Sequence, residues 1–158
     1  MVYNDPKESW KEKMAKLTAQ DVANYFLSLV EEDCGDGISN LKLQKLLYYA
    51  QGFNLAITGK PLFDEPILAW QHGPVVRIVW RHYSLHGANP LPRPKKFDLS
   101  KFDAPTKELL GDIWEIYGQF SAWKLRSLTH GEKPWIETEK KQAISPKLMT
   151  AYFKTLLS

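Results

Sequence analysis

The stretch Ile38-Ser39-Asn40-Leu41-Lys42-Leu43-Gln44-Lys45-Leu46-Leu47-Tyr48-Tyr49-Ala50-Gln51-Gly52 decides the fold. Leu43, Leu46, Leu47 and Ala50 fall at i, i+3, i+4 and i+7, the spacing that lays one apolar stripe along an α-helix. Phe53 and Asn54 continue it, and Ser39 or Asn40 is placed to cap the first turn with a side-chain oxygen. The helix stops near Thr58-Gly59-Lys60-Pro61, where glycine suits a left-handed end and proline cannot continue the ladder.

Upstream, Thr18-Ala19-Gln20-Asp21 has the form of a capping box, with Asp in place of Glu. A helix follows with Val22, Phe26 and Leu29 on one face. The run Glu32-Asp33-Cys34-Gly35-Asp36-Gly37 stops it, since glycine and aspartate favour turns. Before this, Trp10, Met14 and Leu17 recur at helical spacing, so residues 1–17 read as a helical extension docked on a domain of residues 18–158.

Downstream, Ile67-Leu68-Ala69-Trp70 between Pro66 and Gly73-Pro74 suits a short strand. Pro74 is placed to open a helix carrying Val75, Val76, Val79, Trp80 and Tyr83, stopping at Gly87. Pro90, Pro92, Pro94 and Pro105 predict an extended loop with an edge strand around Leu91. Helical spacing returns at Leu109, Leu110, Ile113, Trp114 and Tyr117, up to Gly118. Ser121 caps a further helix that ends at His130-Gly131, and Ser145-Pro146 opens a last one. The fold class is therefore mainly α: a single compact domain of about six helices, with a small β element near residues 66–75 and 90–93.

A chain of 158 residues has room for a full core without disulfide or metal. The 21 Lys and Arg against 18 Asp and Glu leave a formal charge of +3, too small and too evenly spread to mark a nucleic-acid binder. Six Trp, seven Tyr and seven Phe exceed the ordinary aromatic share and serve a core or an interface equally well. One cysteine, Cys34, excludes an internal disulfide and fits a reducing compartment. The polar stretch Met1–Trp10 has no signal core, and no apolar run approaches the roughly 20 residues of a membrane span, so a cytoplasmic protein without membrane contact is expected.

Chemistry-bearing constellations are sparse. His82 and His86 stand at i, i+4 on a predicted helix, but a zinc site needs further ligands and the single cysteine is distant in sequence. No nucleophile elbow and no phosphate-binding glycine loop occurs. The acidic group Glu31, Glu32, Asp33 and Asp36 lacks the spacing of a calcium loop. Lys42, Gln44 and Lys45 share one helix, and Arg77 and Arg81 one face of another; neither set makes the dense stripe of a recognition helix.

Three ordered blocks together resemble one family. Ile38 to Gly52, then Gly59-Lys60-Pro61-Leu62-Phe63 with Ala69-Trp70-Gln71-His72-Gly73-Pro74-Val75, then Leu128-Thr129-His130-Gly131-Glu132-Lys133-Pro134-Trp135 are similar to the Panacea, or SocA-like, antitoxin domain. Its members include phage-associated GepA-like proteins and occur on chromosomes, plasmids and prophages. The resemblance covers roughly residues 18–155, with His72 where an aromatic is common. It implies a mainly helical domain that neutralises a cognate protein toxin encoded beside it, often by direct binding, and no catalytic residues; from the residues themselves no cofactor or metal is expected. Candidate partner-binding residues are Gln44 and Tyr48, read as facing outward beside Lys45; Trp70, His72 and Arg77, read as lining a groove; and Arg81, His130 and Trp135. His130 is also placed near the negative end of a helix dipole. Two other classes stay open: an adaptor delivering a partner to a protease or acting at operator DNA, and a metal-dependent hydrolase built on His82, His86 or His130. The homo-oligomeric state is not legible.

Overall fold

The computed structural model describes residues 16–31 and 37–157. Among them are seven helices and one two-stranded sheet: α1 (Ala19–Ser28), α2 (Asn40–Thr58), β1 (Leu68–Trp70), β2 (Gly73–Val75), α3 (Arg77–His82), α4 (Ala104–Tyr117), α5 (Ala122–His130), α6 (Lys133–Ile136) and α7 (Pro146–Leu156). The mainly α class holds. The expected helix over residues 3–17 and the turn at 32–36 with Cys34 lie outside the described residues, Lys16 and Leu17 apart.

Helix α2 is the axis of the molecule. Ser39 caps it by accepting from the Lys42 N–H at 3.3 Å, and Gly59 ends it in the left-handed region. Every residue from Lys42 to Gly52 is buried, because α1, α4, α5, α7 and β2 pack around it. The single apolar stripe legible in the sequence is therefore only one side of a helix enclosed all round. Burial of its polar residues is tolerable only where each finds a partner, and those partners shape the site below.

The caps at Thr18, Ser121 and Ser145 form as the sequence predicts; Thr18 and Asp21 bond reciprocally, at 2.9 and 3.1 Å. Asp103 caps α4. Helix α6 adds one short element that the sequence reading did not contain. Helix α7 lies on α2, with Phe153 against Gly52, Phe53, Tyr48 and Tyr49.

Two expectations are corrected. Pro74 does not start a helix: it sits in β2 opposite Ala69, in a hairpin whose register pairs Leu68 with Val75 and Trp70 with Gly73. A proline fits there because β2 is an edge strand that needs no donor on its outer side. The helix begins only at Arg77, ends at His82, and is followed by a 3-10 turn, Ser84–His86. No strand forms around Leu91 among the described residues. Leu91 is buried and donates its N–H to the Ile38 carbonyl at 2.8 Å, while the flanking prolines have no N–H to extend a ladder. The third partner of the sheet comes from residues 141–144, which bond the free edge of β1: Ala69 N–H to Gln142 O at 2.9 Å, and Lys141 N–H to Ala69 O at 2.7 Å.

Candidate functional site

The hairpin is tied to α2 from below. Gln44 Oε1 accepts the Val76 N–H at 2.9 Å, and the Lys45 ammonium donates to the Pro74 carbonyl at 3.2 Å. Gln51 fixes the preceding loop in the same way, accepting from Leu62 and donating to the Phe63 carbonyl, both at 2.7 Å. From behind, the Trp135 indole donates to the Trp70 carbonyl at 2.7 Å. Gly73 turns the hairpin at φ 108, a region a side chain avoids. A Cβ there would stand 2.6 Å from Lys45 Cε and 2.9 Å from Thr129 Oγ1, so glycine is also what lets β2 close onto α2 and α5.

On the outer face these ties leave an open groove of about 660 Å³. Leu41, Leu68, Trp70, Val75 and Trp80 form its apolar floor and wall; His72, Arg77, Arg81 and Lys141 bring the charge and polarity. The two indoles meet edge to face, with centroids 6.2 Å apart at 74°. Among the described residues Arg77, Arg81 and Lys141 form no side-chain ion pair or hydrogen bond. His72, exposed in the hairpin turn, accepts at Nδ1 from Arg126 Nε at 3.2 Å. Arg126 in turn lies over the exposed Trp123 ring, 4.5 Å from its centroid. A cation and an aromatic of α5 thus extend the groove's rim beyond the hairpin.

Of the candidate residues, Trp70, His72, Arg77 and Arg81 are brought together in this groove. Gln44 and Tyr48 are not, and the expectation that they face outward is corrected. Both are fully enclosed, as is Lys45, because α2 has no solvent face at these positions. For the same reason α2 cannot enter a nucleic-acid groove with Lys42, Gln44 and Lys45: Lys42 Nζ bonds the Gly118 carbonyl at 2.6 Å. His130 and Trp135 stand behind the hairpin, stacked at 4.0 Å and 10°, with Lys140 over the indole. His82 and His86 do not share a helical face, since α3 ends at the first and the second closes a 3-10 turn. Trp80, Leu41 and Lys141 were not singled out from sequence, although Trp80 lies three residues after Arg77 on the same short helix.

The electrostatics beneath the groove are unusual. Burial, and secondarily the charge of Arg126, lowers the Lys45 ammonium to a pKa of about 7. Burial also lowers His130, helped by Arg126 and Lys45, against a hydrogen bond with the Gln71 backbone that pulls it up. A neutral imidazole is thereby favoured, while His130 does stand in the last turn of α5, at the negative end of the helix dipole where the sequence places it. Its Nε2 is buried with no partner among the described residues. Deeper in, Tyr48 and Tyr49 each donate to one carboxylate oxygen of Glu132 at 2.9 Å. Burial raises the Glu132 pKa; bonds from Tyr48, Tyr49 and Tyr152 oppose it.

These ties run between three separated stretches of chain: residues 44–51, 62–76 and 129–135. The same span, residues 43–136, is matched by the family model described as Antitoxin SocA-like, Panacea domain. The chain belongs to this family. The Panacea span contains the hairpin, α3 and the buried ties, while Leu41 and Lys141 of the groove fall outside it. Antitoxin SocA of Caulobacter vibrioides (strain NA1000 / CB15N) is 50% identical over 50 residues, which are 32% of this chain and 27% of that protein. The matched stretch thus spans about a quarter of that relative's length. No solved structure matches the chain. Among the described residues, no helix is long and apolar enough to cross a membrane.

Proposed function

We propose that this chain is an antitoxin that neutralises a cognate protein toxin by direct stoichiometric binding, with the groove between the hairpin and α3 as its contact face. The observation that carries the reading is the open groove, where Trp70 and Trp80 stand beside Arg77 and Arg81. Tryptophan and arginine are enriched among the residues that dominate binding energy at protein interfaces, and an apolar centre with a charged rim is the usual anatomy of such a surface. The walls are held by Gln44, Lys45 and Trp135 before any partner arrives, so little ordering entropy opposes association. Membership of the Panacea family, and the name of the Caulobacter relative, support a toxin as the partner class.

The test is co-expression with the product of the adjacent gene, scored by growth and by co-purification. The expected result is restored growth and a stable complex. Trp70→Ala should weaken that complex by about tenfold or more, the cost typical of a buried aromatic anchor. Persistent toxicity with this chain present sinks the antitoxin reading; full rescue by Trp70→Ala and Arg77→Ala moves the contact face elsewhere.

A further inference from the structure

We propose that the groove accepts an acidic segment of the partner protein: a large apolar side chain inserts between Trp70 and Trp80 while flanking carboxylates meet Arg77, Arg81 and Lys141. The inference rests on the reading of the groove as the contact face and adds the chemistry of what enters it. Charge complementarity carries it. Among the described residues the floor is apolar, three cations without side-chain partners border it, and no Asp or Glu lines it. Glu65 lies beside Arg77 and Arg81 on their far side, yet its Oε2 accepts the Ala19 N–H at 2.8 Å and so serves the start of α1.

The cations approach the floor from two sides. Arg77 and Arg81 stand one turn apart on α3, after β2. Lys141 arrives on the other side, from the segment bonded to the opposite edge of β1. An occupant crossing the sheet between them meets positive charge at both ends and indole in the middle. Lys141 also holds the only positive φ of a non-glycine among the described residues, at 73°. A lysine in that conformation is unfavourable for folding, and such strain concentrates at binding sites.

A nucleic acid would also offer anions and stacking bases, but it needs a track of cations along its backbone. Here the cations flank a short apolar floor that includes Leu41, Leu68 and Val75, which suits aliphatic and aromatic side chains. The favoured occupant is therefore a peptide segment.

The test is a display library of short random peptides, selected on the immobilised full-length protein with Arg77→Glu/Arg81→Glu protein as the counter-selection. Both arginines are exposed, so the double variant keeps its fold, checked by circular dichroism. The expected enrichment is for peptides with Asp or Glu on either side of an aromatic or large aliphatic residue. Replacing their carboxylates by amides should weaken binding at least about tenfold, and raised salt should weaken the acidic form. Enriched peptides without acidic excess, equal retention by the double variant, or no enrichment at all would overturn the proposal. So would tighter binding of single-stranded oligothymidylate that the double variant abolishes. The library reads the groove's chemistry without the toxin, whereas the growth assay reads the antitoxin role without the peptides, so each failure points to its own premise.

Discussion

Lys45 Nζ, on the central helix, reaches 3.2 Å from the Pro74 carbonyl on the hairpin, and no solvent touches the lysine. The pair joins the most buried element to the wall of the groove. It exists because Gly73, next to Pro74, has no Cβ to push Lys45 away. Among the described residues a backbone carbonyl is the only hydrogen-bond acceptor of this amine, so its charge is poorly compensated. Burial accordingly lowers its pKa from 10.5 to about 7.

That shift makes stability depend on pH. Between about 7 and 10.5 the unfolded chain binds a proton at Lys45 that the folded chain has released, so stability rises with pH across that window. Below about 7 both states are protonated and the folded state bears the whole cost of a buried charge. The slope approaches at most about 1.4 kcal/mol per pH unit. Lys45→Met should remove it: urea midpoints of the wild type should climb between roughly pH 7 and 9, and those of the variant should climb less. Parallel curves would mean that Lys45 stays charged in the fold.

Glu132 carries the opposite dependence. Its pKa is raised, so between its ordinary value and the folded one the native state holds more protons, and stability falls as pH rises through that interval. Glu132→Gln should flatten this part of the curve while keeping an acceptor for one tyrosine. Glu132→Ala leaves the hydroxyls of Tyr48 and Tyr49 unpaired in the core, at about 1–3 kcal/mol each. Chemical denaturation of the two variants at neutral pH should therefore rank Ala well below Gln.

How much was legible follows from the same residues. The helices announced themselves where capping side chains and apolar spacing coincide, at Thr18, Ser39, Ser121 and Ser145. The groove was partly legible, since Trp70, His72 and Arg77 are close in sequence. Gln44 and Tyr48 were misplaced because polar and aromatic residues beside a leucine stripe normally mark a solvent face. Here their partners, Val76 and Glu132, lie 32 and 84 residues away, and nothing local reveals such ties. Pro74 misled for a similar reason: its fixed φ suits a first helical turn and an edge strand alike.

Gly52 offers a test of the α2–α7 packing. An added Cβ would stand 2.1 Å from Phe153 Cε2, with two further ring carbons within 2.4 Å. Alanine normally favours a helix interior over glycine by about 0.5–1 kcal/mol, so propensity alone predicts a gain. The overlap is with a fully buried ring, which cannot shift without disturbing Tyr48 and Phe53. Overpacking of this kind typically costs about 1–3 kcal/mol, and it should win. Thermal unfolding of Gly52→Ala should show a lower midpoint; Gly52→Ala with Phe153→Leu should recover part of the loss.

Lys141 separates stability from binding. Its φ of 73° is strained for lysine and free for glycine, so Lys141→Gly relieves a cost of about 1 kcal/mol or more in the folded state. Part of that gain is offset by the greater freedom glycine confers on the unfolded chain, about 0.5–1 kcal/mol. The net change in stability should be small and favourable, of order 0.5 kcal/mol. Its backbone bond to Ala69 does not depend on the side chain and should persist. Binding of an acidic peptide should nevertheless weaken, since one of the three cations beside the groove is gone. Denaturation and peptide titration on the same variant check both halves: equal or higher stability with weaker binding is the expected pair. Undiminished binding would show that the lysine faces no carboxylate in the complex, and that the strain at residue 141 serves the hairpin edge alone.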